Sequence, residues 1–290
     1  METDAKQTGQ KFDNAVVMGA GIAGLFTARI FSDFFKKVTL IDKDDLPNEA
    51  LSRKGAAQGD HVHILLKQGQ MILSRLFPGI DAELEKFNIP RVNWASESVW
   101  YNRFGASSPY LSQIETHSCS RILLEFIMRR FVTRIPNLQI LSKTEAVGLY
   151  SINMGKTITG VQVKTSEGKE FTLESDLLVD ACGRNSPLPH FLKSLGFGSP
   201  ETISVESNLG YAGRLLKKPK NNPFAWKQVY VQLAPPENQR GGILIPIEND
   251  LWLVNLIGAG SDRPPVEEKA YLEFAKSLRK PDIYQAFVDF

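Results

Sequence analysis

Three glycines and a carboxylate carry the most specific chemical signal in the sequence. Gly19, Ala20, Gly21, Ile22, Ala23 and Gly24 form a Gly-x-Gly-x-x-Gly run, and Asp42 follows 18 residues after Gly24. In such a run the first glycine permits a tight bend, the second lets the backbone approach a diphosphate, and the third lets a helix lie close on a strand. The N–H groups and positive dipole end of the helix then face the phosphates. An acid about 20 residues further on accepts hydrogen bonds from the adenosine ribose. An acid rather than a base in that place argues against a 2′-phosphate. The chemistry is that of an adenine dinucleotide site, with Lys43 beside Asp42 as a further contact. On these residues alone FAD and NAD compete for it, and a glycine turn that merely packs a helix on a strand is the plain alternative.

The flanking elements decide in favour of a site. Glycine occupies 22 positions, so chance spacings are common and context must carry the reading. Ala15–Met18 reads as a buried strand, the apolar spacing from Ile22 to about Phe35 as a helix, and Val38–Ile41 as a second strand ending at Asp42. That unit opens a parallel sheet with right-handed crossovers. Beyond a polar, Gly-rich stretch, Arg53–Gly59, Asp60 is expected to cap a helix from His61 to about Leu76, stopped by Pro78-Gly79, with a short helix over 81–88. Ser98–Phe104 and Tyr110–Thr116 alternate like two strands about a turn at 105–109. Ser120 precedes an amphipathic helix, Ile122–Ile135.

From there the pattern is mostly β. Leu138–Leu141, Ala146–Ile152, Gly160–Thr165, Phe171–Leu173 and Leu177–Asp180 read as strands, the middle three forming an antiparallel excursion that returns to the main sheet. A helix is expected over Pro187–Leu195. Residues 201–257 hold at least four strand patterns, including Gln228–Leu233, Gly242–Ile247 and Leu251–Ile257. Helices follow over Val266–Leu278 and from Pro281 to the last residue, Phe290.

The composition narrows the class. Lys and Arg total 34 against 32 Asp and Glu, a net charge of +2, and no basic tract longer than the stretch around Lys217–Lys220 occurs. Nucleic-acid and anionic-membrane binding are therefore not expected. Two cysteines do not make a disulfide framework. The polar start of the chain lacks the apolar stretch of a signal peptide, and no apolar run approaches the roughly 20 residues of a membrane helix; the best, Leu251–Gly260, contains Asn255. A cytoplasmic protein without a transmembrane segment is expected.

Further motifs separate the two cofactors. The run Arg53-Lys54-Gly55-Ala56-Ala57-Gln58-Gly59-Asp60-His61-Val62-His63, with Leu65-Leu66 and Leu76–Gly79, resembles a stretch of flavin-dependent monooxygenases of the p-hydroxybenzoate hydroxylase fold, in the branch with squalene-epoxidase-like and polyether epoxidases. Leu177–Ser186, holding Asp180, Gly183 and Arg184, is similar to the second flavin motif of that family. Gly241–Glu248, Trp252 and Pro264-Pro265 resemble its substrate-side sheet. The third flavin motif, a Gly-Asp pair opening a helix beyond the substrate segment, has no counterpart, so the chain reads as a shortened one lacking the C-terminal part.

The resemblance implies an α/β fold: a FAD-binding, Rossmann-like parallel sheet with an inserted antiparallel excursion and a β-rich substrate region. Its domains would be a flexible tail at 1–12, a discontinuous FAD-binding domain at 13–95 and 118–200, a substrate region at 96–117 and 201–264, and the start of a helical segment at 265–290. It implies that Arg53 contacts the FAD diphosphate or an adjacent part of the site, that Arg121 reaches the flavin side, and that Asp180 and Gly183 form a turn passing along the cofactor. The implied activity is insertion of one oxygen atom of O2, activated on FAD reduced by NAD(P)H, into an apolar small molecule. Epoxidation of that kind needs no side-chain base, in keeping with the absence of an obvious acid–base pair. The alternatives are a flavin-linked reductase of the geranylgeranyl-reductase type and a shortened, non-catalytic nucleotide-binding remnant. His61 and His63 have no further ligand nearby and are not expected to bind metal. Cys182 reads as a packing residue.

Overall fold

The computed structural model describes residues 12–153, 155–198 and 200–288. In chain order the elements are β1 (Phe12–Met18), α1 (Ile22–Phe34), β2 (Phe35–Ile41), α2 (Lys67–Leu76), α3 (Ile80–Glu85), β3 (Arg91–Asn93), β4 (Ser98–Asn102), β5 (Gly105–Ala106), β6 (Glu115–His117) and α4 (Arg121–Val132). They continue with β7 (Leu138–Leu141), β8 (Thr144–Ile152), β9 (Thr157–Thr165), β10 (Glu170–Glu174), β11 (Leu177–Asp180), α5 (Leu188–Ser194), β12 (Gly210–Lys217), β13 (Gln228–Val231), β14 (Arg240–Ile247), β15 (Leu251–Gly258), α6 (Glu268–Lys276) and α7 (Asp282–Val288). The chain divides into two compact units. The first comprises Met1–Glu49, Arg53–Gly55 and Met128–Thr202; the second comprises Ala50–Ser52, Ala56–Ile127 and Ile203–Phe290. Residues 56–95 and 118–127 thus group with the β-rich region, and residues 1–11 of the expected tail lie outside the described residues.

In the first unit the largely apolar ends of β1 and β2, Ala15–Met18 and Val38–Ile41, are buried on both faces, the mark of a parallel sheet. The strand order is β11-β1-β2-β7, every pair parallel. Val16, Met18 and Ile41 face Val161 and Val163 of the antiparallel sheet β10-β9-β8. Leu40, of opposite parity, faces Gly24 of α1. The sheet is held between a helix and the antiparallel excursion that the sequence predicts.

In the second unit six strands pair in the order β12-β15-β14-β13-β4-β5. Residues alternate along the central strands between two faces, both buried. Ala212, Val229, Leu244, Trp252, Val254 and Leu256 pack under α6 and α7. Tyr230, Ile245, Ile247 and Leu253 form the other face, with Val62, Trp94 and Trp100 against it.

Two local expectations fail. The helix expected from His61 begins only at Lys67, because Asp60 does not cap it: its carboxylate accepts a hydrogen bond from the Ser52 hydroxyl, and His61–Leu66 runs without helical hydrogen bonding. Tyr110–Thr116 does not pair with Ser98–Phe104. Instead β6 pairs with β3, while β4 joins the large sheet parallel to β13. The four strands expected within 201–257 are present as β12 to β15, the first beginning at Gly210. Smaller shifts follow from caps. The Glu267 carboxylate accepts from Lys269 N at 3.0 Å and Ala270 N at 2.8 Å, delaying α6 to Glu268. Ser120 behaves as expected, its hydroxyl accepting from Leu123 N at 3.1 Å.

Candidate functional site

The Gly19 turn is set by backbone packing. Gly19 has φ +95°, and its N–H donates to Ile41 O at 2.8 Å. A Cβ on Gly19 would lie 2.6 Å from Ala181 O, and one on Gly24 only 1.8 Å from Gly19 O. Conformation and space together exclude a side chain at Gly19, and space alone does so at Gly24. Gly21 differs. It precedes α1 with φ −73° and ψ −177°, a conformation open to any residue, and no side chain caps the helix. The first turn of this 13-residue helix carries no acid. Ile22 is half-buried and Ala23 exposed. Its positive end is thus left for an anion from outside.

Asp42 ties the second strand to that turn. Only 7% exposed, it accepts from Ala20 N at 2.7 Å through Oδ2 and from Asp44 N at 2.9 Å through Oδ1. A carboxylate offers about four acceptor sites, so these two bonds leave capacity for a ribose hydroxyl. The diphosphate and ribose of an adenine dinucleotide fit these residues. Arg53 lies against the acids: its guanidinium is 2.7 Å from Asp44 Oδ2 and 3.5 Å from Asp42 Oδ2, with a side chain 8% exposed. Asp44, which sequence reasoning missed, also accepts from Gly55 N at 2.7 Å. Lys43 is exposed.

The turn after β11 meets the glycine turn through the sheet. Met18 pairs with Asp180, and Ala181 N donates to Met18 O at 2.7 Å. The Asp180 carboxylate accepts from Cys182 N at 2.9 Å and from the Ser186 hydroxyl, so it builds its own turn. Gly183 has φ +76° and would meet nothing within 4 Å with a Cβ; conformation, not crowding by the described residues, explains the glycine. Desolvation, then the Asp180 hydrogen bond, pushes the Cys182 thiol up to about 12, which suppresses the thiolate.

The remaining candidates belong to the second unit. Arg121 opens α4 with its side chain 16% exposed, 3.7 Å from Glu125, and its Nε is buried without a hydrogen-bond partner. Burial, then the charge of Arg121, holds the His63 imidazole below its usual range, despite the His61 carbonyl 2.9 Å from Nδ1. His61 Nδ1 is 3.4 Å from Asn255 Nδ2. Among the described residues no group of three or more His, Cys, Asp or Glu is placed to hold a metal ion. No helix among them is long and apolar enough to cross a membrane. Asn255 is the polar residue that sequence reasoning passed over. A lone amide in the apolar run Leu251–Gly258 was its signal.

No family model matches the chain. Protein Rv3254 of Mycobacterium tuberculosis is 26% identical over 267 residues, 89% of this chain and 56% of that protein. Among solved structures, the myxobacterial chondrochloren halogenase CndH, a variant of FAD-dependent halogenases, superposes with a TM-score of 0.66 at 14% identity, over 96% of this chain and 60% of that one. PqsL, a probable FAD-dependent monooxygenase from Pseudomonas aeruginosa, gives 0.61 at 14% identity, over 86% and 61%. The chain thus spans a little over half the length of the proteins it matches. At these identities the likeness shows the fold, which is the expected α/β fold; FAD-dependent monooxygenases and halogenases share it.

Proposed function

We propose that the chain is an FAD-dependent oxidoreductase of the monooxygenase type, an epoxidase or hydroxylase that inserts one oxygen atom of O2 into an apolar small molecule with electrons from NAD(P)H. The observation that carries this reading is the open helix end at Gly21 with Asp42 and the Asp180 turn converging on the same strand ends, in a fold that FAD-dependent enzymes use. The epoxidase-like branch is supported by the Arg53–His63 run and by Gly241–Glu248.

The chain's own residues bind, orient and exclude water. The Gly19–Gly24 turn holds the diphosphate at the dipole end of α1, with Ala20, Ile22 and Ala23 lining it. Asp42 holds the ribose, and Lys43 and Arg53 supply positive charge beside it. Asp180 and Gly183 guide the turn along the cofactor. When bound, the flavin supplies the two-electron redox chemistry and the activation of O2. A dry, apolar substrate wall then matters more than an acid–base pair, and the Tyr230, Ile245 and Leu253 face supports such a wall.

The test is NAD(P)H oxidation by the FAD-loaded protein. Substrate-stimulated oxidation that requires both flavin and O2 is expected, with oxygen in the product. Turnover without bound flavin contradicts the reading. Undiminished anaerobic turnover moves it to a flavin-linked reductase, and a halogenated product in bromide or chloride moves it to a halogenase.

A further inference from the structure

A buried polar atom without a partner costs stability, so a fold rarely keeps one on an apolar face unless something pairs with it. The strands of the second unit set Trp100, Tyr230, Ile243, Asn255 and Gly213 in one cross-strand row. Two members of that row carry orphaned polar atoms. Asn255 is 3% exposed and, among the described residues, its Oδ1 has no hydrogen-bond partner; Tyr230 is 2% exposed and neither has its hydroxyl. Two strand spacings, about 10 Å, separate them.

Asn255 is the better placed. Its Nδ2 lies 3.4 Å from His61 Nδ1. Turning the amide by 180° exchanges its oxygen and nitrogen, so one terminal atom stays unpaired in either setting. Beside that atom stands Gly213, exposed and in regular strand pairing with Asn255. A Cβ on Gly213 would lie 2.9 Å from Asn255 Oδ1, 3.2 Å from His61 Nδ1 and 3.3 Å from Asp60 O. No positive φ requires a glycine here. The glycine leaves a notch walled by an amide, an imidazole and a backbone carbonyl, all on a face whose other residues are chiefly apolar.

We propose that Asn255, with His61 beside it, is a specificity determinant that hydrogen-bonds a neutral hydroxyl group of an otherwise apolar substrate seated over Gly213. A hydroxyl both donates and accepts, so it satisfies the amide in either setting. The inference deepens the oxygenase reading by naming the substrate class, and rests on it for what the bound molecule is.

The experiment compares two probes of matched shape, 4-ethylphenol and ethylbenzene, titrated against the chain by ligand-observed NMR. The wild type binds the phenol at least about tenfold more tightly. Asn255→Leu brings the ratio to within about twofold of one while leaving ethylbenzene affinity unchanged, because it removes the orphan without opening a cavity. Gly213→Ala, whose methyl fills the notch against Asn255 Oδ1, abolishes the preference while the amide stays in the chain. A ratio unchanged in Asn255→Leu, equal affinities in the wild type, or no binding of either probe at millimolar concentration overturns the proposal. FAD titration of the same samples separates the two readings. Preference without FAD binding sinks the oxygenase reading alone, and FAD binding without preference sinks this one alone.

Discussion

The glycine turn of the first unit and the sheet face of the second treat polar groups in opposite ways. Around Gly19 the groups close on one another: Ala20 N–H on Asp42, Asp44 N–H on Asp42, Arg53 on Asp44, and Cys182 N–H on Asp180. On the face holding Tyr230 and Asn255, two buried polar atoms have no partner. A shape assembled from backbone and internal hydrogen bonds is rigid before any ligand arrives. It suits a cofactor part common to many proteins. A face with unpaired atoms in an apolar field discriminates between ligands, since a ligand lacking the matching group leaves those atoms unpaired.

The largest predicted effect strikes the closed region. Gly24→Val forces a side chain into Gly19 O and is expected to destabilise the protein by about 3 kcal/mol or more, visible as a depressed thermal midpoint; a midpoint equal to wild type would mean the turn is not locked by its backbone. Arg53→Met follows, at about 3 kcal/mol in urea unfolding, because it leaves Asp42 and Asp44 buried together without their cation. Adding Asp44→Asn should restore part of that loss, and failure to do so would show the arginine acting through packing instead.

The open region predicts the reverse sign. Tyr230→Phe removes an orphaned hydroxyl and keeps the ring stacked on Trp100 at 3.9 Å. It should be neutral or stabilising by up to about 1 kcal/mol. A clear loss of stability would reveal a partner for the hydroxyl and erase the contrast.

The smallest effect is a pH slope. Burial, then the Arg91 charge, holds the His117 imidazole below its usual range, against the opposing pull of Asp81, Glu85 and Glu115; burial does the same to His63. The unfolded chain takes up these protons near pH 6.5, earlier on acidification than the folded chain does. Their stabilisation is therefore fully present above about pH 6.5 and is lost as pH falls through the folded values. Melting midpoints should drop between pH 7.5 and 5, and His117→Gln should flatten the decline. An equal slope in the variant would assign it elsewhere.

How much of this was legible follows from how local each feature is. The strand, turn, helix and strand around Gly19 are written in consecutive residues, and β7 and β11 fall on Leu138–Leu141 and Leu177–Asp180 as their apolar runs dictate. Asp60 looked like a helix cap because the sequence does not show that Ser52 engages its carboxylate. The pairing of Arg53 with Asp44 was not legible either, because nothing local announces that acid as its partner. The row from Trp100 to Gly213 joins five strands whose order is not their sequence order. No spacing rule encodes it, and Asn255 stood out only as an amide among apolar residues.

FAD titration of the wild type and Gly21→Val, followed by flavin fluorescence, tests the central claim most directly. Residue 21 has a φ of −73°, so valine is compatible with the backbone and its side chain tests clearance for the diphosphate. The account predicts one FAD per wild-type chain and at least about tenfold weaker binding in the variant, with the thermal midpoint of the cofactor-free protein unchanged. Equal affinities in the two proteins, or no binding to the wild type, would contradict it.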